Sequence, residues 1–143
     1  MISHRLVQKL AGLWFLVAGI HGALSVGLGA YAAHGLADQP AAILDLMEKA
    51  TRYQLIHAVA LLAVAIGSLS PVARIAGCWL VACGALLAIG TTLFCGALYA
   101  IALGGIAAGP VAPYGGTSLI LAWLLLFPVG IQVLRRTPVE DGK

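Results

Sequence analysis

The sequence contains very few charged residues and, over one long stretch, none at all. Charged residues make up 9% of the chain, against about 25% in an ordinary soluble domain. Between residues 75 and 134 there is no Asp, Glu, Lys, Arg or His. As one helix this stretch would extend roughly 90 Å, about three times the hydrocarbon thickness of a bilayer. It therefore excludes a water-soluble domain and predicts more than one membrane crossing.

The sequence also lacks the patterns on which most catalytic and cofactor-binding proteins depend. Its three cysteines all lie in the uncharged stretch and none has CxxC spacing, so no disulfide framework is indicated. It has no nucleophile–base set, P-loop, dinucleotide glycine pattern or pair of carboxylates inside an apolar segment. We therefore expect no enzyme, no cofactor and no resident metal. The net charge of +3 lies at the ends of apolar segments rather than in one patch, so no nucleic-acid partner is expected.

Apolar segments long enough to span a membrane are what the sequence does contain. The four predicted spans cover residues 10–33, 52–69, 75–103 and 117–134. Pro71 ends the second span, because helix is disfavoured at the residue before a proline. Within the fourth span, Pro128 frees the carbonyl four residues earlier and predicts a kink near Leu124. We expect one all-α domain of four transmembrane helices over residues 1–143, a multi-pass membrane protein surrounded by lipid.

The connections between the spans differ in composition. Residues 104–116 are rich in glycine and proline and are typical of a turn. Residues 38–52 instead predict a helix, with Asp38 as its N-cap and acid-before-base pairs four residues apart. This segment is interpreted as a short amphipathic helix in the first outer connection, or as a straight extension of the second span.

The distribution of Lys and Arg predicts the orientation in the membrane. One side has two of these residues, Lys49 and Arg52. The other side, which carries both termini, has six: Arg5, Lys9, Arg74, Arg135, Arg136 and Lys143. Positive residues favour the cytoplasmic side, so we expect both termini in the cytoplasm.

Small residues recur every four positions in two of the predicted spans, and such stripes favour close helix packing in lipid. The stripes consist of Gly19, Ala23 and Gly27 in the first span, and Gly96, Ala100 and Gly104 in the third. We predict that these two helices make the tightest contacts, either within one chain or between copies. A protein that associates with itself or with a larger membrane complex is therefore expected.

A few polar residues lie at membrane depth, inside or at the ends of the predicted spans, where ionisable groups are costly and are functional candidates by default. Six of them form a candidate polar cluster in the outer half: His34, Tyr53, Gln54, His57, Tyr99 and Tyr114. The cluster has the groups for a proton relay, a metal site or a small polar pocket. A metal ion needs three or four ligands, and only two histidines are well placed. The alternative is that His34 and His57 are neutral and tie helices together through hydrogen bonds.

His21 lies deeper, near the expected middle of the bilayer. We expect it to be a neutral imidazole bonded to a neighbouring helix rather than part of the candidate cluster.

Four ordered motifs resemble those of a known family. The segment from Gly27 to Gly35, Gly-Leu-Gly-Ala-Tyr-Ala-Ala-His-Gly, resembles the glycine-rich first helix of a small bacterial membrane family. The others are Tyr53-Gln54 with His57-Ala58, Phe94-Cys95-Gly96-Ala97-Leu98-Tyr99, and Pro113-Tyr114-Gly115-Gly116. The family is domain of unknown function 423, which is similar to eukaryotic transmembrane protein 256. The resemblance implies a four-helix inner-membrane protein and points to His34, Gln54, His57, Tyr99 and the Gly115-Gly116 pair.

Two hypotheses about function follow. The first is a non-enzymatic structural or accessory membrane protein, self-associating or part of a larger complex. The alternative is a small channel or transporter for protons, metal or a small solute, which would use His34, Tyr53 and His57.

Overall fold

The computed structural model describes residues 3–136, whose regular structure is helical. The helices are α1 (His4–Gly35), α2 (Ala41–Leu69), α3 (Ala73–Gly104), α4 (Ala112–Leu124) and α5 (Leu126–Arg136), with a 3-10 turn at Gly109–Val111. Four segments are long and apolar enough to cross a membrane: α1, α2, α3, and the turn with α4 and α5 together. The predicted all-α architecture of four spans is thereby confirmed. Lys143 lies outside the described residues.

The first connection contains no separate helix, because α2 begins at Ala41 and continues without interruption to Leu69. Of the two interpretations, the structure therefore agrees with the second: residues 41–52 extend the second span. Asp38 as N-cap is wrong: the cap position is Pro40, and Asp38 lies in a turn closed by a bond from Gln39 N–H to Leu36 O. The predicted ion pairs of this segment are present, Lys49 with Asp45 at 2.6 Å and Arg52 with Glu48.

The fourth span is broken where the proline predicts it. Helix α4 ends at Leu124 and α5 begins at Leu126, so the span is interrupted at Leu125, next to the position of the expected kink. The preceding loop is shorter than expected, because Pro113 and the two glycines after it belong to the start of α4. The irregular part begins at Gly105, whose φ of +59° ends α3 in the left-handed conformation that glycine adopts without strain.

Helix α3 lies at the centre of the molecule. It packs against α1, α2, α4 and α5, whereas the backbone of α4 does not closely approach α1 or α2 within residues 3–136. We call the end that carries the two longer connections, residues 36–40 and 105–111, the loop end. The other, with Ser3 and Arg136, is the terminal end. Helices α1, α2 and α3 thus form a three-helix unit, with α4 attached to one side of α3.

The prediction that the first and third spans make the tightest contacts within the chain is wrong. Helix α1 packs mainly along α2 and touches α3 over a shorter length. An added Cβ at Gly19, Gly27 or Gly96 would meet no atom within 4 Å, and Ala23 is exposed. Gly104 meets only Ile106 of its own loop, at 3.2 Å. The small-residue stripes therefore face outward rather than toward each other.

The buried side of α1 is instead marked by an alternating spacing of four and three residues. Its members are Val7, Ala11, Trp14, Ala18, His21 and Ser25. Helix α2 shows the same spacing with Met47, Ala50, Gln54, His57, Leu61, Val64 and Ser68. This is the heptad pattern of left-handed helix packing, which most membrane bundles share with coiled coils. We call these two rows of buried residues the buried seams of α1 and α2, and both of them contain polar residues.

Substituting Gly115 with alanine is expected to weaken the attachment of α4 to α3. The added Cβ would overlap the backbone nitrogen of Phe94 and lie 2.8 Å from its Cα, and backbone atoms cannot move aside as a flexible side chain can. We expect a loss of about 1–3 kcal/mol in the free energy of unfolding, measured by denaturation in detergent.

The neighbouring substitution Gly116→Ala is the matched control. Its Cβ would lie 3.8 Å from the Phe94 ring, an ordinary contact, so stability should change by less than about 0.5 kcal/mol. Equal stability of the two variants would contradict the close α3–α4 packing.

Candidate functional site

Four polar side chains from three helices meet in a group that we call the polar core: His21, Gln54, Thr92 and Tyr99. Gln54 Nε2 lies 3.0 Å from His21 Nδ1, and Tyr99 Oη lies 2.6 Å from Gln54 Oε1. The other ring nitrogen of His21 lies 3.3 Å from Thr92 Oγ1. His21 and Gln54 are both buried. The polar core therefore links α1, α2 and α3 through hydrogen bonds rather than through small residues.

The partners of the polar core fix the direction of its hydrogen bonds. The Thr92 hydroxyl donates its one hydrogen to Ala88 O at 2.8 Å, so it accepts from His21 Nε2–H. His21 Nδ1 then accepts from the Gln54 amide, whose oxygen accepts from the Tyr99 hydroxyl. These bonds are compatible with one another, and in this arrangement His21 is a neutral imidazole. The expected state of His21, bonded to neighbouring helices, agrees with this geometry.

The polar core is a chain of hydrogen bonds, but it is poorly suited to transfer protons. A proton relay needs groups that accept a proton on one side and release one on the other. Gln54 donates through its nitrogen and accepts through its oxygen, and an amide does not readily exchange a proton between these atoms. Its position between Tyr99 and His21 therefore interrupts a proton path.

His57 forms a second polar link, between α2 and α4. Its Nδ1–H donates to Tyr53 O at 2.7 Å, and its Nε2 accepts from the indole N–H of Trp123 at 3.3 Å. The rings of His57 and Trp123 meet edge to face, with centroids 6.2 Å apart. A carbonyl only accepts and an indole only donates, so His57 is also neutral.

The six residues of the predicted cluster do not lie together in the structure. Gln54 and Tyr99 belong to the polar core, and Tyr53 and His57 belong to the α2–α4 link. His34 and Tyr114 are exposed and join neither group. Helix α1 is rotated so that His21 and Ser25 face inward, and Ser25 donates to Thr51 O at 2.8 Å. His34 is therefore not paired with His57.

Sequence reasoning excluded His21 from the cluster and missed Thr92 and Trp123. The heptad spacing of α1 would have found His21, because it continues the series from Val7 to Ala18. Thr92 and Trp123 are both exposed on their own helices and follow no such pattern. Within residues 3–136, no three His, Cys, Asp or Glu side chains are grouped as metal ligands.

Comparisons with known proteins give the family of this chain. The sequence pattern described as "Protein of unknown function (DUF423)" matches residues 28–116. The chain belongs to this family. The resemblance to this family that the sequence motifs indicated is thereby confirmed. The matched range includes Gln54, His57, Thr92 and Tyr99 but not His21 or Trp123. No solved structure matches the chain.

Several similar proteins are named UPF0382 membrane proteins. The UPF0382 membrane protein SSP2132 of Staphylococcus saprophyticus is 38% identical over 116 residues, 80% of this chain and 92% of the relative. The UPF0382 inner membrane protein YgdD of Escherichia coli K12 is 32% identical over 123 residues, 85% and 91% of the two chains. YwdK of Bacillus subtilis 168, also a UPF0382 membrane protein, is 29% identical over 126 residues, 85% and 98%. The chain is therefore an integral membrane protein of a family of unknown function, and the expected inner-membrane location is confirmed.

Replacing Gln54 with leucine is expected to destabilise the three-helix unit. The change leaves His21 Nδ1 and the Tyr99 hydroxyl without their partners inside the protein. Interhelical hydrogen bonds in membrane proteins contribute about 0.6 kcal/mol on average and up to about 1.7. We expect a loss of about 1–3 kcal/mol in unfolding free energy, measured by denaturant titration in mixed micelles.

Gln8→Leu provides the control, since Gln8 lies on the exposed side of α1 and the chemical change is the same. This variant should unfold like the unaltered chain. If Q54L is as stable as Q8L, the polar core does not stabilise the fold.

Proposed function

We propose that this protein is a non-enzymatic accessory protein of the membrane that associates with copies of itself. The supporting observation is the outward stripe of Gly19, Ala23 and Gly27 on α1, which the helices of its own chain leave uncovered. Small residues at helix surfaces allow two backbones to approach closely, and this is a main source of helix association in lipid. A second chain would cover this face.

The arrangement of polar groups agrees with a role without catalysis. The hydrogen-bonding atoms of the polar core are turned toward one another and occupy each other's donors and acceptors. His57 likewise has a partner on each ring nitrogen. Such groups stabilise one arrangement of helices, which is what an association surface of fixed shape requires.

The fourth span offers a second uncovered surface. Of its most apolar window, 11% is buried, compared with 28–39% for the other three spans. A larger membrane complex would find its contact surface here, whereas self-association uses α1. The proposed orientation places both termini in the cytoplasm. It rests on the positive residues of the terminal end, Arg5, Lys9, Arg74, Arg135 and Arg136.

The double variant Gly19→Leu, Gly27→Leu tests self-association. An added Cβ at either position meets no atom of the chain within 4 Å, so the fold should persist, whereas the leucine side chains would hold a second helix away. The measurement is resonance energy transfer between labelled copies in liposomes over a range of protein-to-lipid ratios. We expect an association at least about tenfold weaker than that of the unaltered chain, a loss of about 1.4 kcal/mol.

Gly130→Leu on α5 is the control, because this glycine also has open space around it but lies away from the α1 stripe. It should associate like the unaltered chain. No energy transfer by the unaltered chain at any ratio would overturn the proposal.

The alternative of a small channel or transporter has one supporting observation, the position of Tyr53 and His57 in a cleft of about 470 Å³. It is tested by solute and proton flux into liposomes. If the alternative holds, the unaltered chain conducts above empty liposomes and His57→Ala abolishes the flux. If the accessory role holds, liposomes with the unaltered chain behave as empty ones.

A further inference from the structure

A cleft runs between α2 and α4, because both helices pack on α3 while their backbones do not closely approach each other. It consists of two cavities. The one nearer the terminal end has a volume of about 180 Å³ and is lined by apolar residues such as Ala60, Leu80 and Leu126. The one nearer the loop end has a volume of about 470 Å³, within the usual range of ligand pockets of about 300–1,000 Å³. Trp123 lines both cavities.

The dimensions of the cleft suit a hydrocarbon chain. Its floor extends along α3 from Leu80 to Phe94, which at 1.5 Å per residue is roughly 21 Å. This is about two-thirds of the hydrocarbon thickness of a bilayer. The cleft opens sideways between two helices that span the membrane, so what enters it comes from the lipid phase.

The walls of the cleft are largely apolar, and His57 supplies a hydrogen-bond acceptor in them. Tyr53 O holds the hydrogen of His57 on Nδ1, which leaves Nε2 as an acceptor that faces the cleft. Its donor is the indole of Trp123, at 3.3 Å, beyond the usual 2.9–3.0 Å for such bonds. Trp123 is 45% exposed, so the described residues do not enclose it. An indole that turned away from His57 would free the acceptor.

We propose that the α2–α4 cleft binds an amphiphile with a hydrocarbon chain and a hydroxyl group, whose O–H donates to His57 Nε2 in place of Trp123. A neutral donor matches a neutral acceptor, and no charged side chain lines either cavity to balance an ionic headgroup. The rings of Tyr53 and Phe94, with centroids 5.0 Å apart, provide an apolar wall beside the hydroxyl. Glycerides, polyprenyl alcohols and quinols share this chemistry.

The experiment compares two lipids that differ at one oxygen, which is a free hydroxyl in the first and is capped in the second so that it cannot donate. The purified full chain is incubated in mild detergent with 1,2-dioleoylglycerol or with its 3-acetyl ester, and the retained lipid is measured by native mass spectrometry. We expect the free alcohol to be retained about tenfold more strongly than the ester, as one buried hydrogen bond allows. Equal retention would overturn the proposal.

Two variants and one control locate the site. His57→Leu removes the acceptor and should abolish the preference for the alcohol, while His34→Leu, at an exposed histidine outside the cleft, should keep it. Trp123→Phe removes the competing donor and keeps the acceptor, so it should retain the alcohol several-fold more strongly than the unaltered chain. A preference that survives in H57L, or a W123F variant with weaker binding of the alcohol, would contradict the assignment.

Competition with a polyprenyl alcohol and with a quinol then identifies the source of the hydroxyl, because the lipid that displaces dioleoylglycerol at the lowest concentration is the preferred one. The cleft lies on α2 and α4 and the association stripe lies on α1, so this proposal does not depend on self-association. The same spectra record the oligomeric state separately from the bound lipid.

Discussion

The requirement that polar groups inside a bilayer find partners within the protein determines how these helices are arranged. Lipid offers no hydrogen bonds, so a histidine or glutamine in a span must face another helix. His21 and Gln54 lie in the buried seams of α1 and α2 for this reason, and their bond fixes how the two helices are rotated. One buried donor, Trp14 Nε1, has no partner within residues 3–136, because its indole packs directly over Gly84.

The same requirement explains why the small residues face outward. Packing of small residues and hydrogen bonding of polar residues compete for the inner face of a helix, and α1 carries both on different sides. An unpaired imidazole in hydrocarbon costs more than an uncovered glycine, which loses only van der Waals contact. The polar side of α1 therefore faces α2 and α3, and Gly19 and Gly27 remain available to another molecule.

Helix α4 follows a different principle from the three-helix unit. It is held by close backbone contact at Gly115, by a bond from Ser118 to Leu86 O at 3.0 Å, and by the link from Trp123 to His57. Because these contacts lie on one side, the opposite side is left to lipid or a partner and a cleft remains beside α2. An attachment of this kind gives a membrane protein lateral access to its interior.

Much of this arrangement follows from the sequence, and the rest does not. The charge-free stretch determined the surroundings of the protein, Pro71 and Pro128 determined where helices end or kink, and the four-span count follows from apolar length. These are local properties of the chain. Which helix faces contact each other is not a local property, since His57 and Trp123 meet although they are 66 positions apart. The sequence placed His34 and His57 in one cluster only because both lie at a similar depth. Only the tertiary structure decided that His21 rather than His34 joins Gln54, because helix rotation depends on satisfying all polar groups at once.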